Sequence, residues 1–139
     1  MKAINEVLAL DVGKARIGVA RASMRARIPE PVTTIETSKA LKLLEGIINR
    51  YQTQAIVVGL PRNLYGDDTE QTRWVRQWIT KAAEHIKLPF YLQDEALTSA
   101  KALELAADDE TKNQSQDALA ASLILQDFLD TPKHMRVTH

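Results

Sequence analysis

The 139-residue chain contains no cysteine. That excludes a disulfide framework, a thiolate nucleophile and any zinc or iron–sulfur centre held by cysteine. No apolar run approaches the ~18 residues of a membrane-spanning helix, and the opening MKAINEVLALDVG lacks a leader's apolar stretch and small-residue cleavage site. The three histidines, His85, His134 and His139, are too scattered to pair as metal ligands, and no Ser-His-Asp arrangement can be argued. Internal repeats and low-complexity segments are absent. So is net charge, with 18 basic against 18 acidic side chains. Apolar residues at 45% and charged residues at 26% are ordinary for a globular protein, which sets aside disorder, collagen and coiled-coil arrays. The expectation is one domain spanning residues 1–139, in the cytoplasm, with no membrane partner, as a monomer or weak homodimer.

The zero hides an uneven distribution. From Met1 to Arg27, six basic residues face two acids, a net of +4. From Pro89 to Asp117, seven acids face two lysines, a net of −5. A basic end and an acidic stretch are what a phosphate-binding rim beside metal-holding carboxylates would require. Neutrality as such therefore says little against a nucleic-acid partner.

The hydrophobic pattern starts as strands and continues as strand–helix alternation. Val7–Leu10, Ile17–Ala20 and Val32–Ile35 read as three strands, the first two joined by a turn at Asp11-Val12-Gly13-Lys14. Ser38 is placed to cap a helix with Leu41, Leu44, Ile48 and Tyr51 on one stripe. Ala55–Val58 reads as a buried strand closed by Gly59. Asp68 and Gln71 have capping-box spacing before a helix carrying Val75, Trp78, Ile79, Ala82 and Ile86. Phe90–Leu92 is the last strand expected. A short helix from Thr98 or Ser99 to about Ala107 follows, then a nearly all-apolar helix from about Ser115 to Leu129. This order predicts an α/β three-layer fold, with a mixed five-stranded sheet and helices on both faces.

Three acids stand at informative places. Asp11 follows the first apolar run, Glu95 lies past the last strand, and Asp117 opens the apolar final helix. Sites in open α/β sheets form beyond the carboxyl ends of parallel strands. If the first and last strands are parallel, Asp11 and Glu95 share an edge that Asp117 can reach. Converging carboxylates need positive charge to stay ionised, and hard oxygen donors call for Mg²⁺ or Mn²⁺, with room for two ions. Each acid also has an ordinary role: Asp11 in a turn, Glu95 in solvent, Asp117 complementing the helix dipole. Spacing alone leaves both readings open. In the segment Gly59-Leu60-Pro61-Arg62-Asn63-Leu64-Tyr65-Gly66, Arg62 could contact phosphate and Asn63 sugar or base.

LALDVGKARIGVA (8–20), VVGLPRN (57–63), DEALTSAKA (94–102) and QDALAASLILQDFL (116–129), in this order, resemble the YqgF (RuvX) family. These are small bacterial proteins similar to Holliday-junction resolvases and assigned to pre-16S rRNA cleavage. The resemblance implies an RNase H-like fold and metal-dependent phosphodiester hydrolysis. It places the acids at Asp11, at the Asp94-Glu95 pair and at Asp117. Because neighbouring strand residues face opposite sides, one of the pair enters the site, and Glu95 is favoured. Substrate would be precursor rRNA or branched DNA, positioned by Lys14, Arg16, Arg21, Arg25, Arg62 and Asn63. The chain departs from the family in having Ala15-Arg16 for Lys-Arg, Ala96 for Arg, and Arg62 for an apolar residue. Two other classes compete: an ATPase sharing this sheet, as in actin and sugar kinases, and a non-catalytic ribosome-assembly module.

Overall fold

The computed structural model describes residues 3–95 and 114–139. Three strands come first: β1 (Glu6–Val12), β2 (Arg16–Ser23) and β3 (Glu30–Glu36). Helix α1 (Ala40–Tyr51), strand β4 (Ala55–Pro61), helix α2 (Glu70–His85), strand β5 (Phe90–Glu95), helix α3 (Gln114–Asp130) and a short β6 (Val137–Thr138) follow. The expected helix between Thr98 and Ala107 lies outside the described residues.

The sheet order is β3-β2-β1-β4-β5-β6. β1 pairs antiparallel with β2 and parallel with β4, and β4 pairs parallel with β5. The carboxyl ends of β1, β4 and β5 therefore share one edge. The sheet has six strands where five were expected, because Val137 and Thr138 pair antiparallel with Leu92 and Tyr91. Two residues with no apolar run around them carry no strand periodicity, so this pairing was invisible in the pattern.

Strand alternation divides the core into two layers. Leu8, Leu10 and Val12 join Ile56, Val58 and Leu60 beneath Leu44 of α1 and Val75 and Ile79 of α2. Val7 and Ala9 join Ala20, Ala22 and Val57 beneath Ala121, Ile124, Leu125 and Phe128 of α3. Small alanines on that second face let α3 lie close to the sheet, whereas branched side chains hold α1 and α2 off the other.

Local details differ from the expected ones. β1 continues through Asp11 and Val12, which pair with Gly18 and Ile17, so the turn is confined to residues 13–15. Ser38 does not cap α1: it sits within a 3-10 turn, Thr37–Lys39, and the cap position falls to Lys39 without a side-chain bond. The capping box of α2 is Thr69 with Thr72 rather than Asp68 with Gln71, Thr69 accepting from Thr72 N–H and Thr72 from Thr69 N–H. Thr72 also donates to the carbonyl of Pro61, tying the start of α2 to the end of β4. Trp74 and Trp78 pack against the first core layer, as ordinary core residues.

Candidate functional site: an acidic edge under helix α3

Asp11 sits one residue from the carboxyl end of β1, on the face that Val7 and Ala9 present to α3. On β5, Phe90 and Leu92 enter the α1/α2 layer and Tyr91 the α3 layer. Alternation then sends Asp94 to the α2 side and Glu95 to the α3 side. Asp94 is 70% exposed and accepts from Arg62 Nε at 3.2 Å. Glu95 is half-buried and lies against Gly59, where a Cβ would stand 2.5 Å from its Oε1.

Two glycines shape this floor. Gly18 pairs with Asp11 across the β1–β2 ladder. A methyl group on Gly18 would overlap the backbone carbonyl of Asp117 and stand 3.0 Å from Ala118 N. Helix α3 thus rests its first turns on Gly18, and that contact brings Asp117 over the strand carrying Asp11. Glycine inside a strand marks such a close backbone approach. Gly59, expected to end its strand, is instead interior to β4 and leaves the space that Glu95 fills. Neither glycine was read as part of the site, although each interrupts an otherwise β-branched run.

Asp117 is 14% exposed, and its Oδ2 lies 2.8 Å from Arg16 Nε. The contact is an ion pair without a directed hydrogen bond, since the same oxygen has no hydrogen-bond partner. Among the described residues no group of three acidic or histidine side chains closes to metal-holding distance. Asp11, Glu95 and Asp117 share a face and an edge; among the described residues the cation paired with Asp117 is Arg16.

The basic residues separate into those at this edge and those elsewhere. Lys14 is exposed in the β1–β2 turn, which Thr37 fastens by donating to Gly13 O at 2.7 Å. Arg16 opens β2 at the same edge. Arg21 does not join them. It faces the other layer, donating to Glu6 at 2.9 Å and Glu30 at 3.0 Å, with its guanidinium 5.0 Å from the Tyr51 ring centre. The hydrogen bond to Glu6 raises its pKa, against the lowering effect of burial. Arg25 lies beyond the end of β2, beside Asn5 at the opposite edge of the sheet.

Arg62 bonds Asp68 and Asp94, so its charge is already matched. The Oδ1 of Asn63 accepts N–H bonds from Tyr65 and Asp67, both at 2.9 Å, and so organises the loop instead of projecting that oxygen outward. Gly66, at φ 78°, completes the turn. Tyr65, 89% exposed, stands at the loop's tip. Ala96 lies outside the described residues.

A mixed sheet with acids at the carboxyl ends of its parallel strands and a helix carrying a third acid across them is the arrangement of an RNase H-like nuclease. The solved structure of T. thermophilus RuvC in complex with Holliday junction substrate shares the fold, with a TM-score of 0.60 at 13% identity, covering 97% of this chain and 99% of that one. Residues 5–131 match the RuvX family, described as Holliday junction resolvase. A "Putative pre-16S rRNA nuclease" of Roseiflexus sp. (strain RS-1) is 40% identical over 134 residues, covering 91% of this chain and 95% of the relative. A relative of the same name in Rickettsia rickettsii (strain Sheila Smith) is 35% identical over 136 residues, covering 93% and 88%. The chain belongs to the RuvX family, a family of nucleases. Among the described residues no helix is long and apolar enough to cross a membrane.

Proposed function

We propose that this protein is a metal-dependent nuclease that hydrolyses phosphodiester bonds of structured RNA, trimming the 5' end of precursor 16S rRNA in the cytoplasm as one 139-residue domain. The observation that carries the reading is the seating of Asp117 on Gly18, the ladder partner of Asp11. The names of the relatives favour precursor rRNA as substrate.

The donor set fits a hard divalent cation. Asp11, Glu95 and Asp117 are all oxygen donors, and the buried Oδ2 of Asp117 lacks a directed hydrogen bond. These three residues would hold Mg²⁺ or Mn²⁺. Bound there, such ions would polarise the phosphate and activate water for attack on phosphorus. Arg16 offsets the charge of Asp117. Lys14 offers an exposed ammonium to the backbone phosphates entering at this edge.

The test is cleavage of a precursor 16S rRNA fragment with Mn²⁺, comparing wild type with Asp11→Asn. Loss of cleavage in the variant is expected; equal rates would overturn the catalytic assignment. The family description and the shared fold with RuvC favour one second reading, cleavage of branched DNA. A four-way junction belongs in the same assay, and preferential cleavage of it would replace RNA as the substrate.

A further inference from the structure

Helix α3 connects the acidic edge to a different chemical environment at the other end of the sheet. From Asp117 to Asp130 is thirteen residues, about 20 Å at 1.5 Å per residue. Because β2 runs antiparallel to β1, its carboxyl end reaches this same far edge, with Ser23 opposite Glu6. Two arginines meet the end of α3 there. Arg27 donates from Nη2 to Leu129 O at 2.6 Å, and Arg136 from Nε to Thr131 O at 3.1 Å. Arg27 holds a left-handed backbone, φ 58°, where it does so.

Beside them is a groove of about 420 Å³, within the range of small-molecule sites, lined by Ile4, Met24, Tyr91, Phe128, Lys133 and Arg136. Its floor is aromatic: the partly exposed Tyr91 ring lies 5.3 Å from that of Phe128, which is buried beneath the Arg136 guanidinium, 4.4 Å over its centre. Its rim is cationic. Among the described residues, no carboxylate lies within ion-pair distance of Arg27, Lys133 or Arg136, whereas Arg16 has one and Arg21 and Arg62 have two each. Burial, then the charge of Arg27, lower the pKa of Arg136, only partly opposed by Tyr91. The carbonyl end of α3 offsets about half a unit charge, and Asp127 and Asp130 in its last turn offset more, although neither pairs with Arg27, Lys133 or Arg136. An anion would stabilise this cluster. An anion carrying a flat apolar body would use the floor as well.

We propose that this groove binds one nucleotide unit of a single-stranded nucleic acid, its phosphate on Arg136 and Lys133 and its base against Tyr91. The inference rests on nucleic acid being the substrate, with one strand held both here and at Asp117. It does not require catalysis by the carboxylates.

The experiment is amide NMR of the full ¹⁵N-labelled chain in EDTA, titrated separately with adenosine 5'-monophosphate, adenosine and inorganic phosphate. The nucleotide is expected to shift the amides of Met24, Tyr91 and Arg136 with saturation, more tightly than either fragment. The same shifts are expected in Asp11→Asn, so a failure of the catalytic assignment leaves this result standing. Lys133→Glu, at an exposed position, should weaken nucleotide binding about fivefold, the scale of one surface ion pair. Shifts confined to the acidic edge, no saturation at these amides, or equal binding of phosphate and nucleotide would each overturn the proposal.

Discussion

Gly18 and Asp117 touch backbone to backbone: the helix that carries the acid rests on a strand position without a side chain. Because Gly18 is the ladder partner of Asp11, the contact sets how closely Asp11 and Asp117 approach. Gly18→Ala forces a methyl group into a carbonyl that cannot rotate away, so α3 must shift. We expect a loss of about 1–3 kcal/mol, the range for overpacking, measured by urea unfolding. Cleavage should fall further than stability explains, measured at a temperature where the variant remains folded.

Asp94 and Glu95 are adjacent but face opposite layers. Asp94→Asn weakens only an exposed pair with Arg62 and should leave cleavage within about twofold and stability within about 1 kcal/mol. Glu95→Gln keeps shape but removes charge at the acidic edge. Its cleavage should drop by more than about a hundredfold, beyond what outer partners of metal sites cost. Single-turnover rates on precursor rRNA separate the two; the reverse ranking would reassign the second acid.

Lys14 and Arg21 were expected to act together, and the fold separates them. Lys14→Ala should lower affinity for RNA and reduce the slope of log K against log salt by about one unit, read by anisotropy titrations. Arg21→Ala should leave that slope unchanged. It removes two carboxylate partners and a ring contact in the half-buried interior, so its expected effect is lower stability, by about 1–2 kcal/mol.

Thr69→Ala removes the N-cap of α2 and half of its capping box. About 1 kcal/mol of destabilisation is expected, seen as a shift in the urea midpoint with an unchanged slope. Asp68→Ala, at the position favoured by spacing, breaks the ion pairs to Arg62 and Arg76 and should alter the 62–68 loop more than the helix.

Periodicity alone carried most of the fold, because alternation in β1 and the helical stripes of α1 and α2 are local consequences of which face is buried. It also placed the three acids at element ends and set Asp94 and Glu95 on opposite faces, while only the packing of β5 shows Glu95 on the α3 side. The resemblance supplied their common purpose. Three features were not legible. The pairing of Val137 and Thr138 onto β5 depends on a partner strand more than forty residues away. The true cap at Thr69 depends on where β4 ends, since Thr72 is held by Pro61.

The third is charge. Counted along the chain, residues 1–27 form one basic segment of net +4. In the folded sheet, the hairpin of β1 and β2 carries Lys14 and Arg16 to the acidic edge and Arg25 and Arg27 to the opposite one, and turns Arg21 to the other face. An antiparallel pair sends the two ends of a strand to opposite edges, so neighbours in sequence part by the length of the strand. Composition therefore determined that cations and carboxylates were available and that cysteine chemistry was not. Only the strand directions decided which cations face the carboxylates and which gather, outside any ion pair, at the far end of α3.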